Sequence, residues 1–117
     1  MKKYLALIAF LFFYNNASAA FVEGLEDVPL MDGLEQITND TLSFGNEESR
    51  LVEASLKGNK KFNEVVTFYK KTLSQMGWIY QGKRENTFIF EREGEVLEIT
   101  KEQKKPLIIR LVVKSKI

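Results

Sequence analysis

The sequence predicts a two-layer α+β domain, one helix packed on an antiparallel sheet of four to five strands in the order β-α-β-β-β-β. Residues 59–78 repeat apolar side chains at helical spacing, whereas residues 49–58 and several later stretches alternate apolar with polar ones. The strands after the helix are joined by short polar turns, and short connections make antiparallel neighbours.

The chain opens "MKKYLALIAFLFFYNNASAA", with Lys2 and Lys3 ahead of an apolar run over residues 4–14 and Ala17-Ser18-Ala19 matching a small-residue cleavage pattern. This reads as a secretory signal peptide over residues 1–19. The run of about 11 residues is short against the ~20 that a spanning helix needs, so no transmembrane anchor is expected. No cysteine follows it to carry a lipid. The mature chain is expected in the periplasm, beginning at Ala20 or Phe21.

Residues 20–48 are expected to form an N-terminal extended segment and residues 49–117 the α+β domain. Pro29 holds Val28 in extended geometry and offers no N–H, so "DVPLM" is extended or turning. Val28, Leu30, Met31, Leu34 and Ile37 are too apolar for a free tail. Such a segment lies across the domain as a strap, or docks on another protein through Val28, Pro29, Leu30 and Met31. "GNEES" follows as a turn, and in "SRLVEASLKG" Val52, Ala54 and Leu56 share the face expected to meet the core.

In "NKKFNEVVTFYKKTLSQMGW", Phe62, Val65, Val66, Tyr69, Leu73 and Met76 make one helical stripe, with Lys60, Lys61, Lys70, Lys71 and Gln75 largely opposite. Asn59 is the expected N-cap. Gly77 suits a left-handed C′ position, which puts Trp78 at C″ with its ring folded back on Leu73. "WIYQGKRENTFIFERE" reads as two strands about a turn, Phe88, Phe90 and Arg92 sharing a face. "EGE" turns the chain into "VLEITKE", and Pro106 introduces "LIIRLVVKSKI" with Leu107, Ile109, Leu111 and Val113 on one side. The second sheet face mixes Leu51, Ile89, Ile108 and Val112 with Glu53, Glu91, Arg110 and Lys114, half wet and open to the strap, a ligand or a second copy in a homodimer.

Without histidine or cysteine the chain lacks the commonest general base, the commonest metal ligand and any thiol nucleophile. Phosphate-loop, dinucleotide and nucleophile-elbow motifs are also missing. No catalytic residue, metal or cofactor is therefore expected. The acids of "ENTFIFEREGEVLE" read as solvated or cross-strand pairs, and the oxygen donors of "NDTLSFGNEE" lack the spacing of a calcium loop.

Without the two leader lysines, 15 basic residues stand against 16 acidic. Nucleic acid is not an expected partner. Residues 20–53 carry nine acids and one base, and residues 54–117 carry 14 bases and seven acids. The two halves either pack together and cancel, or present an acidic arm to a basic partner or a basic face to anionic lipid or polysaccharide. The basic stretches "KGNKK", "GKREN" and "KEQKKP" fall on loops or strand ends, where Trp78, Tyr80 and Phe88 can interleave with them or enter the core.

With "DVPLMDGL", "SRLVEASLKG", "VVTFYKKTLSQMGW" and "FEREGEVLEI", the chain resembles a family of small uncharacterised proteins secreted by Gram-negative bacteria. The likeness covers nearly the whole mature chain, and Asp32 departs from it where a proline is usual. It implies export and a strand, helix and hairpin arrangement, and it transfers no site. The expected function is that of an exported, non-catalytic cell-envelope protein that binds a protein partner. The alternative is a binder of a small amphiphile or lipid between helix and sheet at Trp78, Tyr80 and Phe90.

Overall fold

The computed structural model describes residues 20–45 and 50–116; the expected signal peptide and most of the "GNEES" turn lie outside them. Six strands form one sheet: β3 (Leu34–Gly45), β4 (Arg50–Gly58), β5 (Ile79–Arg84), β6 (Thr87–Arg92), β7 (Glu95–Gln103) and β8 (Leu107–Ser115). Their order is β3-β4-β8-β7-β6-β5, with all neighbours antiparallel. The helix α1 (Phe62–Gln75) follows β4 and carries the chain across to β5 at the far edge. Ahead of the sheet, β1 (Phe21–Val22) and β2 (Leu25–Pro29) pair as a ribbon of their own.

Register explains the core. Val52, Val113, Leu97 and Phe90 stand opposite one another across β4, β8, β7 and β6, and Ala54, Leu111, Ile99 and Phe88 form the next row. Such rows bring apolar side chains of neighbouring strands into contact on one face. Against them pack Val65, Tyr69 and Leu73 of α1 and Val22, Leu25 and Val28 of the ribbon, all buried in a single cluster.

The helix ends as its sequence requires. Trp78 N–H donates to the Leu73 carbonyl at 3.0 Å and Gly77 N–H to that of Ser74 at 3.4 Å, the two bonds of a Schellman ending, with Gly77 at φ +93°. Trp78 and Leu73 are both buried. The start differs from expectation: the N-cap is Lys61, whose N–H donates to Glu64 Oε1 at 3.2 Å. That is half a capping box, since a lysine side chain has no acceptor for the other half.

The expected fold class is corrected in strand count, order and class. The element order is β-β-β-β-α-β-β-β-β, the sheet has six strands, a two-stranded ribbon is added, and most of the chain is strand. The N-terminal strands escape a periodicity reading for physical reasons. A bulge at Phe21/Val22 spaces the buried residues Val22, Leu25 and Val28 by three rather than two. β3 is an edge strand whose Thr38-Asn39-Asp40-Thr41 stretch offers no apolar alternation. Residues 20–45 therefore share one core with residues 50–116, the ribbon lying across the domain.

Candidate anion-binding site

The residues singled out for partner docking are taken up by the domain itself. Val28 and Pro29 are buried, and Leu30 and Met31 pack against the core. The Tyr69 hydroxyl donates to the Pro29 carbonyl at 2.7 Å, and burial pushes its pKa up. Leu30 N–H donates to the Ala20 carbonyl at 2.9 Å, and Gln36 exchanges two hydrogen bonds with the Glu23 backbone, tying the ribbon to β3.

Charge completes the clamp. Asp27 of β2 meets Arg50 of β4 and Arg92 of β6 through Oδ2. Arg50 also forks onto Glu95 of β7, Nε to Oε2 at 2.5 Å and Nη2 to Oε1 at 2.9 Å, and these bonds raise its pKa further. Bidentate guanidinium–carboxylate geometry is the strong form of this contact. Arg92 in turn donates to the Met76 carbonyl at 3.0 Å and lies 4.6 Å from the centroid of the Trp78 ring. Helix end, ribbon and three strands meet there.

Trp78 and Phe90, two of the three residues expected to hold an amphiphile, are each 1% exposed inside this packing. Tyr80 sits on edge strand β5 beside Phe88 and Phe90, with the Lys70 ammonium 4.5 Å from its ring centroid. Helix and sheet are closed on each other at this point. A second hollow of about 430 Å³ lies outside them, bounded by Met76, Gly77, Ile79 and Arg92 among others. Its cations Arg92 and Lys116 are already paired, with Asp27 and Glu91.

The opposite end of α1 is open. A pocket of about 900 Å³ is bounded by the helix start, the β6 start and the β7–β8 turn, and Lys60, Lys61, Lys83, Lys101, Lys104 and Lys105 line it. Among the described residues none of the six is ion-paired with a carboxylate. Glu64, the one acid in the lining, faces the Lys61 N–H. The floor is aromatic: Phe62 and Phe88 meet edge to face at 5.5 Å, with Leu107 beside them in the lining. Lys101 and Lys83 each lie 5.7 and 5.6 Å from these rings, over Phe62 and Phe88 respectively.

Two placements run against stability. Lys101 stands opposite Ile109, itself opposite Leu56, so it takes a position on the helix-covered face where the pattern calls for an apolar residue. Lys60 and Lys61 sit at the positive end of the helix dipole, which favours anions, whereas the last turn carries no base. Both lower the cost of bringing in negative charge. Close approach builds the rim as well, since a Cβ on Gly58 would stand 2.2 Å from the Gly33 carbonyl oxygen.

The three basic stretches stand apart in the sequence. β-pairing brings them together: "KGNKK" lies at the end of β4, "GKREN" spans the β5–β6 turn, and "KEQKKP" spans the β7–β8 turn. Phe62 and Phe88 pack against the core and also line the pocket. Among the described residues no group of acids assembles to hold a metal, and no helix is long and apolar enough to cross a membrane. Asn46, Glu47 and Glu48 of the discounted calcium loop lie outside them.

Fold and pocket together define a helix-and-ribbon-covered antiparallel sheet with a cationic, aromatic-floored pocket at one end. No protein-family model, curated protein or solved structure matches the chain.

Proposed function

We propose that the protein is an exported, non-catalytic binding protein whose ligand is anionic and enters the lysine-rimmed pocket. One observation carries this: six lysines that pair with no acid among the described residues converge on a concave site at a helix N-terminus. Anions are stabilised there by the helix dipole and by ammonium groups at once. Desolvation within a pocket makes each such contact worth more than on open surface.

Calorimetric titration of the mature chain with inorganic pyrophosphate tests the site. Binding is expected at low ionic strength and should weaken as salt rises through screening. Replacing Lys60, Lys101 and Lys104 together by alanine should cost about tenfold in affinity, two half-buried charges and one exposed at about 0.5 kcal/mol each. Unchanged binding by that triple variant contradicts the reading. Export is tested separately by mass spectrometry of the periplasmic fraction, where the mature N-terminus should be Ala20 or Phe21.

A protein partner stands as the second reading, on the open sheet face. Phe44 and Ile79 are 61% and 65% exposed there, on one cross-strand row with Leu51 and Val96. Crosslinking in envelope extract through a photoreactive residue at position 79 should capture one specific protein under this reading. Absence of a specific adduct counts against it.

A further inference from the structure

We infer, building on the anionic-ligand reading, that the ligand of the lysine-rimmed pocket is an anionic amphiphile, with a charged headgroup among the lysines and a hydrocarbon chain along Phe62 and Phe88. A bare anion accounts for the rim alone. Three features of the same site call for an apolar partner.

The first is size. A volume of about 900 Å³ lies in the range of pockets that bury a whole organic molecule and far exceeds a phosphate group. The second is the floor. Phe62 and Phe88 are only partly buried although both pack against the core, with Tyr80 stacked beside Phe88 and the ammonium groups of Lys101 and Lys83 near the two rings. Aromatic rings left part-wet at the bottom of a concavity gain most from a ligand that removes water from them. The third is the form of the walls. Lysine carries its charge on a four-carbon stem, and the ammonium groups of Lys83 and Lys101 stand 5.6 and 5.7 Å from the centroids of Phe88 and Phe62, so that ring faces and cations share one wall. Aromatic rings beside ammonium groups are the complement of an amphiphile with a negative head.

Arginine is absent from this lining, although four arginines elsewhere form ion pairs. A flexible ammonium adapts to phosphate, sulfate or carboxylate without imposing a planar fork. The headgroup class is therefore set by charge, and the tail is what separates this ligand from an inorganic ion. Such a molecule reaches the pocket from solution as a monomer or from the surface of a bilayer.

A chain-length series separates this inference from the reading beneath it. Affinities are measured by calorimetry for inorganic pyrophosphate and for butyl, hexyl, octyl and dodecyl phosphate, each below its micelle concentration, with octyl glucoside as the neutral control. Affinity should rise by roughly two- to fourfold per methylene until the floor is covered, since a fully buried methylene is worth about fourfold. Octyl glucoside should bind at least tenfold more weakly than octyl phosphate. Affinity independent of chain length overturns the amphiphile and leaves the anion site standing, whereas failure of pyrophosphate and alkyl phosphates alike overturns both.

Phe62→Leu, which keeps an apolar side chain for the core, should flatten the chain-length dependence while pyrophosphate binding persists. If that variant loses its fold, the exposed pair Lys104→Ala and Lys105→Ala replaces it, and should lower octyl phosphate affinity several-fold with its chain-length slope retained. Sedimentation with vesicles of phosphatidylglycerol or of phosphatidylcholine identifies the source. Retention on the anionic vesicles alone supports a lipid headgroup in the bilayer, no retention with tight alkyl phosphate binding supports a soluble amphiphile, and equal retention on both vesicles contradicts a charge-selected ligand.

Discussion

Tyr69 joins the three parts of the inner layer, because its ring is buried between helix and sheet while its hydroxyl ends on the ribbon at the Pro29 carbonyl. Tyr69→Phe removes one neutral hydrogen bond from a buried site, and thermal or urea unfolding should show a loss of about 1 kcal/mol. The same group makes stability pH-dependent. Its folded-state pKa is raised, so its contribution is complete below the unfolded phenol value of about 10 and falls as pH rises beyond it. Urea midpoints between pH 8 and pH 11 should therefore decline more steeply for the native chain than for Tyr69→Phe; equal slopes would show that the phenol is not the linked group. Tyr69 was legible in the sequence as a core position of the helical stripe, but its partner was not. A backbone carbonyl 40 residues away leaves no mark on local spacing.

At the scale of elements, the ribbon and the helix start behave oppositely. Val22, Leu25 and Val28 are each at most 1% exposed, and burying such a side chain is worth about 1.5–3 kcal/mol. Leu25→Ala should thus cost 2–5 kcal/mol by chemical denaturation, a large part of the 5–15 kcal/mol a domain commonly has. A ribbon that merely rested on the surface would tolerate the change. The start of α1 offers the reverse, since Lys61 occupies a cap position that favours serine and a dipole end that favours anions. Lys61→Ser should stabilise the protein by about 1 kcal/mol, raising the melting midpoint by several degrees, while weakening pyrophosphate binding. Stability gained together with affinity lost is the signature of a residue kept for its ligand. The Gly77-Trp78 ending could be read from the sequence because a Schellman turn is local, β4, β6, β7 and β8 because each alternates, and β5 from the polar turn that joins it to β6. The ribbon and β3 could not, since a bulge, a tight turn and a polar edge strand mask the period on which such reading depends.

At the scale of the whole molecule, the uneven charge of the two halves divides by residue type. Asp27 and Glu53 of the acidic half pair with Arg92 and Arg110 of the basic half, so arginine is spent on joining the fold. Lys114 and Lys116 also pair with acids, and pairing of β4 with β8 and β6 with β7 gathers six further lysines at one end of the sheet. The three basic stretches were visible in the sequence; their convergence depends on a strand order in which β4 and β5 stand four places apart. Trp78 lies past the far end of a 14-residue helix, about 20 Å from the pocket at 1.5 Å per residue. That separation makes the location of the site measurable in one titration. In a two-dimensional amide spectrum of the mature chain, dodecyl phosphate should shift the resonances of Lys60, Lys61, Phe62, Lys101 and Lys104 and leave the Trp78 indole N–H in place. Shifts centred on Trp78, Tyr80 and Phe90, with the lysine end unmoved, would contradict the account.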